Sequence, residues 1–349
     1  GNTATCSFDV TVNDTEAPVI VCPANINVNN DPGVCGAVVT YTSPVGTDNC
    51  TGAITTQTGG LASGDIYPIG TTTNTFLVTD AVGNTATCSF DVTVVDNEPP
   101  VAVCMDITIQ LDANGDASIT TADVDGGSTD NCGIASLAIS PSTFTCADVG
   151  PNNVTLTVTD VNGNTSTCIA VVTVEDNVPP VAVCQNIDAF LDASGNVTIT
   201  AADVDGGSTD ACGIASLAIN VDTFSCDADL GPNDVTLTVT DNNGNVSTCV
   251  AVVTVIDDID PIIACPPNQT ANTDPGLCSA IVVFPDAIAL DNCTVTVAQT
   301  GGLASGDAFP VGVNTIEYTA TDSSGNTAVC TFTITVTDNE LPVAVCQDI

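Results

Sequence analysis

The chain of 349 residues carries 42 Asp and Glu residues but no Lys, Arg or His, so its side-chain charge is entirely negative. Most enzyme mechanisms need an imidazole base, a reactive lysine or a cationic clamp, and a polyanion cannot neutralise nucleic acid or anionic lipid. Paired carboxylates still permit glycoside hydrolysis, but there is no Trp and only 3 Tyr to line a sugar cleft. We therefore expect no enzyme, no nucleic-acid binding and no direct membrane insertion.

The apolar content and the cysteines point to a folded, secreted protein. Hydrophobic residues make up 44% of the chain, which favours a packed core over disorder. The 18 cysteines, in the absence of His, indicate disulfides rather than zinc, and disulfides persist in oxidising compartments. The chain shows no signal peptide and no apolar run of about 18 residues. We expect an extracellular or cell-surface location and a mature internal fragment without an anchor.

An internal repeat organises the sequence. Residues 1–14 recur almost unchanged at 83–96. A cysteine after a Pro-Val or Pro-Ile step recurs about every 81 residues, at Cys22, Cys104, Cys184, Cys265 and Cys346. The predicted domains are the end of a preceding repeat at 1–14, repeats 1 to 4 at 15–96, 97–176, 177–257 and 258–338, and the start of a following repeat at 339–349.

Each repeat is predicted to be all-β. Short runs rich in Val, Ile, Thr and Phe alternate apolar with polar residues, and Gly, Pro, Asn and Asp separate them. Segments with Gly-Asn at their ends, suited to tight turns, link the last two strands at 80–84, 160–164, 241–245 and 322–326. About seven strands in some 80 residues predict tandem immunoglobulin-like β-sandwich repeats that form an extended rod.

Repeats 1 and 4 carry a further pattern. They share the Pro-Val/Ile step before Cys, a central Asp-Asn-Cys, the segments 67–70 and 309–312, and Thr-Asp-x-x-Gly-Asn-Thr before the last Cys. This pattern resembles the hyalin repeat, or HYR, family; repeats 2 and 3 match it mainly at both ends. Tandem arrays of this kind resemble the giant secreted surface proteins of Bacteroidetes, such as gliding-motility adhesins exported by type IX secretion, which implies an adhesive role.

Four cysteines in a repeat allow three disulfide connectivities. If the first and last strands lie side by side, the outer pairs are Cys22–Cys88, Cys104–Cys168, Cys184–Cys249 and Cys265–Cys330. The inner pairs are then Cys35–Cys50, Cys132–Cys146, Cys212–Cys226 and Cys278–Cys293. Cys6 and Cys346 are left over, with partners expected in flanking repeats.

The acidic residues predict calcium at the junctions between repeats. Without cationic side chains, carboxylates must be solvated, kept apart or neutralised by a metal, and hard oxygen ligands favour Ca²⁺. In an immunoglobulin-like unit, the linker, the loop around Asp-Asn-Cys and the last hairpin should converge where the chain enters a repeat. The candidate ligands are Asp14, Glu16, Asp48 and Asp80 before repeat 1; Asp96, Glu98, Asp130 and Asp160 before repeat 2; Asp176, Asp210 and Asp241 before repeat 3; and Asp257, Asp258, Asp291 and Asp322 before repeat 4.

Each of these Asp residues has an alternative role as a turn residue that caps its own backbone. The pairs Asp123 with Asp125 and Asp203 with Asp205 are interpreted as turns first, because no Glu follows at the distance of an EF-hand.

Three functions remain open from the sequence. The leading hypothesis is a structural stalk that projects a distal tip, and its partners are the neighbouring repeats and, through the tip, surface glycans or abiotic surfaces. The alternatives are a calcium-dependent adhesive module and a filament-forming surface protein. The shortage of aromatic residues for sugar stacking favours the stalk.

Overall fold

The computed structural model describes residues 1–343, apart from the side chain of Asp227, so the prediction for Cys346 lies outside the described residues. The chain divides into two units, Gly1–Asp176 and Asn177–Ile349. Each unit holds two copies of one strand arrangement. In the described part of the chain, no helix has both the length and the hydropathy to cross a bilayer.

The first unit consists of twelve strands and two short helical turns. Its strands are β1 (Ile26–Asn29), β2 (Gly36–Val38), β3 (Ile54–Gly59), β4 (Ile66–Pro68), β5 (Gly70–Thr79), β6 (Thr85–Val95), β7 (Ile107–Gln110), β8 (Asp116–Ser118), β9 (Ile134–Ser140), β10 (Thr143–Thr145), β11 (Gly150–Asp160) and β12 (Thr165–Glu175). The helical turns are α1 (Thr121–Val124) and a 3-10 turn at Cys146–Asp148.

The second unit repeats this pattern. Its described strands are β13 (Ile187–Phe190), β14 (Asn196–Thr198), β15 (Ile214–Ile219), β16 (Thr223–Ser225), β17 (Gly231–Asp241), β18 (Val246–Ile256), β19 (Ile262–Ala264), β20 (Gln269–Asn272), β21 (Ser279–Ile281), β22 (Ile288–Leu290), β23 (Val295–Gly301), β24 (Ala308–Pro310), β25 (Gly312–Asp322) and β26 (Thr327–Thr337). Its helical turns are α2 (Ala201–Val204) and α3 (Cys226–Asp229).

Every copy is a sandwich of a four-stranded and a two-stranded sheet. The larger sheets have the orders β1-β6-β5-β3, β7-β12-β11-β9, β13-β18-β17-β15 and β20-β26-β25-β23. The smaller sheets pair β2 with β4, β8 with β10, β14 with β16 and β21 with β24, and the fourth copy has one more two-stranded sheet, β19 with β22. In each larger sheet the strand that comes first in the sequence runs parallel to the strand that comes last in the sequence, such as β1 and β6. The other neighbouring pairs in these sheets are antiparallel. The protein is therefore all-β, with tandem immunoglobulin-like sandwiches, as the sequence predicts.

The long hairpin of each copy supplies much of the core. In β6, Phe90, Val92 and Val94 are buried, because successive side chains of a strand point to opposite faces and these three share the inward face. Phe76 of β5 packs parallel to Phe90, with ring centroids 6.4 Å apart, and Tyr67 of the small sheet closes the core from the other side. Each large apolar side chain buried in this way contributes about 1.5–3 kcal/mol.

The amino-terminal segment shows that strand β6 depends on its neighbouring strands. Residues 1–12 have the same sequence as 83–94, yet they form no strand. Phe8 is 86% exposed, whereas its counterpart Phe90 is 3% exposed. Strand β6 is held between β1 and β5, and among the described residues the segment 1–12 has neither neighbour beside it.

Candidate functional site

Successive sandwiches meet inside each unit, and these junctions gather most of the acidic residues singled out above. We call the meeting of the β1–β6 and β7–β12 sandwiches, around Asp96, the first junction. The meeting of the β13–β18 and β20–β26 sandwiches, around Asp257, is the second junction.

The outer disulfides lie within single sandwiches and agree with the expected pairing. They join Cys22 to Cys88, Cys104 to Cys168, Cys184 to Cys249 and Cys265 to Cys330, with Cα–Cα distances of 5.6, 5.8, 5.8 and 5.7 Å. Each ties the segment before the first strand of the large sheet to its last strand. These two strands are parallel neighbours in every copy, as the prediction assumed.

The predicted inner pairs are wrong, because the inner cysteines join successive repeats. Cys35 is bonded to Cys132 across the first junction, with a Cα–Cα distance of 4.8 Å. Cys226 is bonded to Cys293 across the second junction, at 5.5 Å. None of the pairs Cys35–Cys50, Cys132–Cys146, Cys212–Cys226 and Cys278–Cys293 is formed. Cys146 and Cys212 are disulfide-bonded. Among residues 1–343 the free cysteines are Cys6, Cys50 and Cys278, all exposed.

The inner cysteines of one repeat lie at opposite ends of it, which explains this result. Cys50 lies beside Asp14, where the chain enters repeat 1. Cys35 follows Gly33, whose N–H donates to Glu98 of the outgoing linker at 2.9 Å. Strands β5 and β6, with 10 and 11 residues, separate the two ends, a span of roughly 30 Å. A disulfide bridges Cα atoms at most about 7 Å apart.

The hairpin aspartates cap their own turns. The Oδ1 atom of Asp160 accepts hydrogen bonds from the backbone N–H groups of Asn162 and Asn164, each at 2.8 Å, and its Oδ2 atom accepts from the Asn164 side chain at 2.8 Å. Asp80, Asp241 and Asp322 make the same contacts in their own hairpins. Their carboxylates are thus saturated by donors within the turn.

These caps also lower the pKa values of the aspartates in three hairpins, Asp80, Asp160 and Asp241. Burial acts to raise the pKa of Asp160, but hydrogen bonds from Asn164, Asn162 and Gly163 outweigh it, so the pKa lies below its usual value. The pKa values of Asp80 and Asp241 are lowered in the same way, against the same effect of burial. A low pKa fits a carboxylate that needs no metal to stay ionised.

The hairpins nevertheless reach the linkers, as the topology predicts. The Asn164 side chain donates to the backbone carbonyls of Asp96 and Glu98 at 3.3 and 3.4 Å. At the second junction the Asn326 side chain donates to the carbonyl of Asp257 at 3.0 Å. The hairpin therefore positions the linker through Asn, while its own Asp carboxylate stays within the turn.

At the first junction, carboxylates of the linker and of the Asp-Asn-Cys loop come together with too few donors. Asp96 is 5% exposed, and its Oδ2 atom has no hydrogen-bond partner among the described residues. An oxygen of Asp96 and an oxygen of Asp130 lie within 4.8 Å of each other. The buried Oδ1 atom of Asn131 is likewise without a partner. A buried carboxylate oxygen without a donor is costly unless a cation faces it.

The second junction repeats this arrangement at the equivalent residues. Asp257 is 5% exposed, and an oxygen of it lies within 4.8 Å of an oxygen of Asp291. Within residues 1–343, Asp257 Oδ2, Asp291 Oδ1 and Asn292 Oδ1 are all buried without a hydrogen-bond partner. We call Asp96, Asp130 and Asn131 the first oxygen cage, and Asp257, Asp291 and Asn292 the second oxygen cage.

Glu98 and Asp258 lie outside both oxygen cages. Glu98 Oε2 accepts hydrogen bonds from the Asn30 and Asn131 side chains and from Gly33 N–H, at 3.3, 2.8 and 2.9 Å, so it links the two repeats as a hydrogen-bond acceptor. Asp258 is exposed. Asp210 accepts from the Cys212 N–H at 2.7 Å, and Asp176 is buried at the end of the first unit.

At the start of repeat 1, Asp14, Glu16 and Asp48 line half of a junction. The Oδ1 atom of Asp14 accepts from Glu16 N–H at 3.1 Å, and the Oε2 atom of Glu16 accepts from the Asn49 side chain at 2.7 Å. Asp48 accepts from the Cys50 N–H at 2.9 Å. These residues are half-buried or exposed, unlike Asp96 and Asp257.

The Asp-Val-Asp-Gly-Gly segments are turns, as interpreted from the sequence. The Oδ2 atom of Asp123 accepts from the Thr120 N–H and hydroxyl, which caps α1, and the Oδ1 atom of Asp125 accepts from the N–H and hydroxyl of Ser128. Asp203 and Asp205 repeat these contacts around α2. All four have lowered pKa values, mainly because of these hydrogen bonds.

The sequence analysis missed the two asparagines of the oxygen cages. Asn131 and Asn292 stand between the cage Asp and the bridging Cys in the recurring Asp-Asn-Cys triplet. Repeat 3 has Ala211 at this position. The recurrence of Asn between Asp and Cys in this triplet is the sequence signal that points to Asn131 and Asn292 as candidate ligands.

Comparison with known proteins identifies the family. The HYR domain matches residues 13–94 and 256–336. Hyalin of Lytechinus variegatus is 30% identical over 97% of this chain and 67% of its own length. The chain belongs to the HYR-domain family. Hyalin of Strongylocentrotus purpuratus is 32% identical over 96% of the chain, which spans 29% of the length of that relative.

Membership of the HYR family makes this an extracellular, adhesion-related protein of tandem, disulfide-bonded repeats. Among solved structures, the protocadherin gammaB7 EC3-6 cis-dimer covers 91% of this chain and is itself covered completely, with 15% identity and a TM-score of 0.31. A score this low supports no conclusion about the HYR repeats.

Proposed function

We propose that these HYR repeats are a structural stalk within a large extracellular adhesive protein, and that divalent cations, Ca²⁺ first among them, bind in the two oxygen cages. The bacterial cell surface and the gliding adhesins suggested by the sequence stay a prediction. The observation that carries the proposal is the combination, at the same junction, of an inter-repeat disulfide with buried, partnerless carboxylate oxygens.

A stalk needs junctions that do not hinge freely. In the first junction the repeats are joined by the main chain at Asp96 and by the Cys35–Cys132 disulfide. Two covalent connections leave far fewer relative orientations than one. Glu98 adds hydrogen bonds to both repeats, through Asn30 and Asn131.

The oxygen cages fit a hard cation. Ca²⁺ binds carboxylate and amide oxygens at about 2.3–2.6 Å, so two ligands of one ion lie up to about 5 Å apart. The Asp96–Asp130 and Asp257–Asp291 oxygens fall within that limit. The nearby Cys132 and Cys293 sulfurs are engaged in disulfides and offer no thiolate. A cation would neutralise carboxylates that no residue of this chain can pair with, since it has no Lys, Arg or His.

Calorimetric unfolding with and without calcium tests the cation. A ligand that binds only the folded state at about a hundred times its Kd stabilises by about 2.7 kcal/mol, so we expect Ca²⁺ to raise Tm and a chelator to lower it. The double variant Asp130→Asn, Asp291→Asn removes one carboxylate from each cage and should lose most of this rise.

A matched control also removes two negative charges. Asp188→Asn with Asp234→Asn changes two exposed strand residues away from the cages and should respond to Ca²⁺ as the unchanged protein does. A Tm that is the same in calcium and in chelator, or a cage variant that responds fully, contradicts cation binding in the oxygen cages.

A further inference from the structure

Two exposed thiols occupy positions that elsewhere in the chain form inter-repeat disulfides. Cys50 stands at the Asp-Asn-Cys position, where Cys132 and Cys293 are bonded to the preceding repeat. Cys278 follows Asp-Pro-Gly-Leu as Cys35, which is bonded to the following repeat, follows Asp-Pro-Gly-Val. Each thiol is thus one half of a bond that the structure shows complete at two other places.

The loop that carries Cys278 has the shape of the loop that carries Cys35. The Oδ2 atom of Asp274 accepts from Ile281 N–H at 2.9 Å, as that of Asp31 accepts from Val38 N–H at 2.8 Å. The linker that follows repeat 4 is also in place. Gly276 N–H donates to Glu340 Oε1 at 3.0 Å, as Gly33 N–H donates to Glu98 Oε2 at 2.9 Å in the first junction.

The loop that carries Cys50 matches the loop that carries Cys132. The Asn49 side chain donates to Glu16 Oε2 at 2.7 Å, and the Asn131 side chain donates to Glu98 Oε2 at 2.8 Å. Asp48 accepts from Cys50 N–H at 2.9 Å, as Asp130 accepts from Cys132 N–H at 2.7 Å. The Cys278 loop therefore matches the outgoing side of the first junction, and the Cys50 loop matches its incoming side.

We propose that Cys278 and Cys50 are attachment points for further HYR repeats, so that inter-repeat disulfides continue beyond both ends of the four repeats. Cys278 receives the Asp-Asn-Cys loop of a following repeat, and Cys50 receives the outgoing cysteine of a preceding one. The partner is thus a domain of the same class, recognised by its acidic linker and its cysteine-bearing loop. This inference holds whether or not a cation occupies the oxygen cages.

The bond forms by thiol–disulfide exchange with a small disulfide such as oxidised glutathione. The Cys278 thiolate attacks oxidised glutathione, which yields a mixed disulfide and one glutathione thiolate. The thiolate of the incoming cysteine then attacks the Cys278 sulfur and releases the second glutathione. The two protein thiols together lose two electrons and two protons, and these convert one oxidised glutathione into two reduced glutathione molecules.

Two copies of this chain serve as the probe, because one copy supplies Cys278 and the other Cys50. Cys346 is replaced by Ser throughout. After incubation in a glutathione redox buffer, cross-linked peptides are quantified by mass spectrometry. We expect Cys278–Cys50 links to exceed Cys278–Cys278, Cys50–Cys50 and all Cys6 links by roughly tenfold, the enrichment that even a weak docking preference gives. Cys6 is the matched control, an exposed thiol outside any half-junction.

A mixture of single variants sharpens this experiment. Cys50→Ser and Cys278→Ser change exposed residues and leave every disulfide in residues 1–343 intact. Mixed together, they should give heterodimers through Cys278 and Cys50, while each variant alone should give roughly tenfold less dimer. Equal yields of all links, as much homodimer in either variant alone as heterodimer in the mixture, or the absence of any link overturns the proposal.

Discussion

Individual aspartates of this chain lie in two different hydrogen-bonding environments. Asp241 is 1% exposed and accepts from Asn243 N–H, Asn245 N–H and the Asn245 side chain, each at 2.8 Å. Asp257 is also buried, at 5% exposure, yet its Oδ2 atom has no donor among the described residues. Asp241 therefore stabilises its own turn, whereas Asp257 belongs to a proposed cation site.

The hairpin cap predicts a dependence of stability on pH. The pKa of Asp241 in the folded protein is lowered, with the effect of burial outweighed by the bonds from Asn245, Asn243 and Gly244. The contribution of the Asp241 carboxylate to the free energy of unfolding is therefore complete above its pKa in the unfolded chain, about 3.9. It is lost as the pH falls through the lower pKa of the folded protein. We expect Asp241→Ala to cost about 1–3 kcal/mol at neutral pH, because buried N–H groups lose their acceptor, and to weaken the acid dependence.

Urea unfolding followed by circular dichroism at neutral and acidic pH measures this effect. Asp234→Ala is the control, since Asp234 lies on the same strand, β17, but is exposed. The two variants should differ at neutral pH and converge in acid. Equal stability of the two at neutral pH would show that the turn does not depend on its carboxylate.

The sequence could not separate the two kinds of Asp. A cap and a metal ligand are both Asp in a polar loop, and the alternative reading as a turn residue was open for every candidate. The capping role is local, since its donors lie two to four residues away in the sequence. The proposed cation sites depend on residues more than thirty positions apart in the sequence, such as Asp96 and Asp130, which come together only once the repeats are packed.

At the scale of elements, the strands and outer disulfides followed from the sequence, and the inner disulfides did not. Alternating apolar residues predict the long hairpins, and the adjacency of first and last strands predicts bonds such as Cys22–Cys88. The inner pairing depends on which end of the sandwich each loop occupies. Cys35 comes from the turn before β2, whereas Cys226 begins α3 after β16, yet both lie at the outgoing end.

The turn before β14 contains a glycine, Gly195, that lies against the next repeat. Gly195 has a φ of +74°, and a Cβ atom there would lie 2.6 Å from the Asn292 carbonyl oxygen, across the second junction. Gly276 occupies the equivalent turn of repeat 4, with a φ of +77° and open space around it. Both positions strain any other residue, but only Gly195 is also in close contact with the next repeat.

We expect Gly195→Ala to destabilise the protein by about 1–3 kcal/mol more than Gly276→Ala, because overpacking adds to the shared backbone strain. The Cys226–Cys293 disulfide should also be reduced faster by dithiothreitol in Gly195→Ala than in Gly276→Ala. Calorimetry and timed alkylation with mass spectrometry give the two readouts. If the variants behave alike in both, the close approach of Gly195 to Asn292 is not part of the folded junction.

At the scale of the whole molecule, the absence of cationic side chains shapes how the repeats are held together. Intramolecular ion pairs with side-chain cations are impossible, so covalent bonds, hydrogen bonds and external cations remain. The repeat period, the fold class and the use of disulfides are readable from the sequence because they are periodic or compositional. The linkage of one repeat to the next is a property of the surfaces that only the folded repeats create.

If the repeats form the proposed stalk, the chain is extended in solution, and small-angle X-ray scattering of the whole chain in calcium tests this most directly. Four sandwiches in line, each about 35 Å long, reach on the order of 140 Å, which corresponds to a radius of gyration of about 40 Å. A chain of this length folded into one compact body would have a radius of gyration of about 20 Å. We predict a radius of gyration near 40 Å in calcium. A radius of gyration of about 20 Å would contradict the stalk.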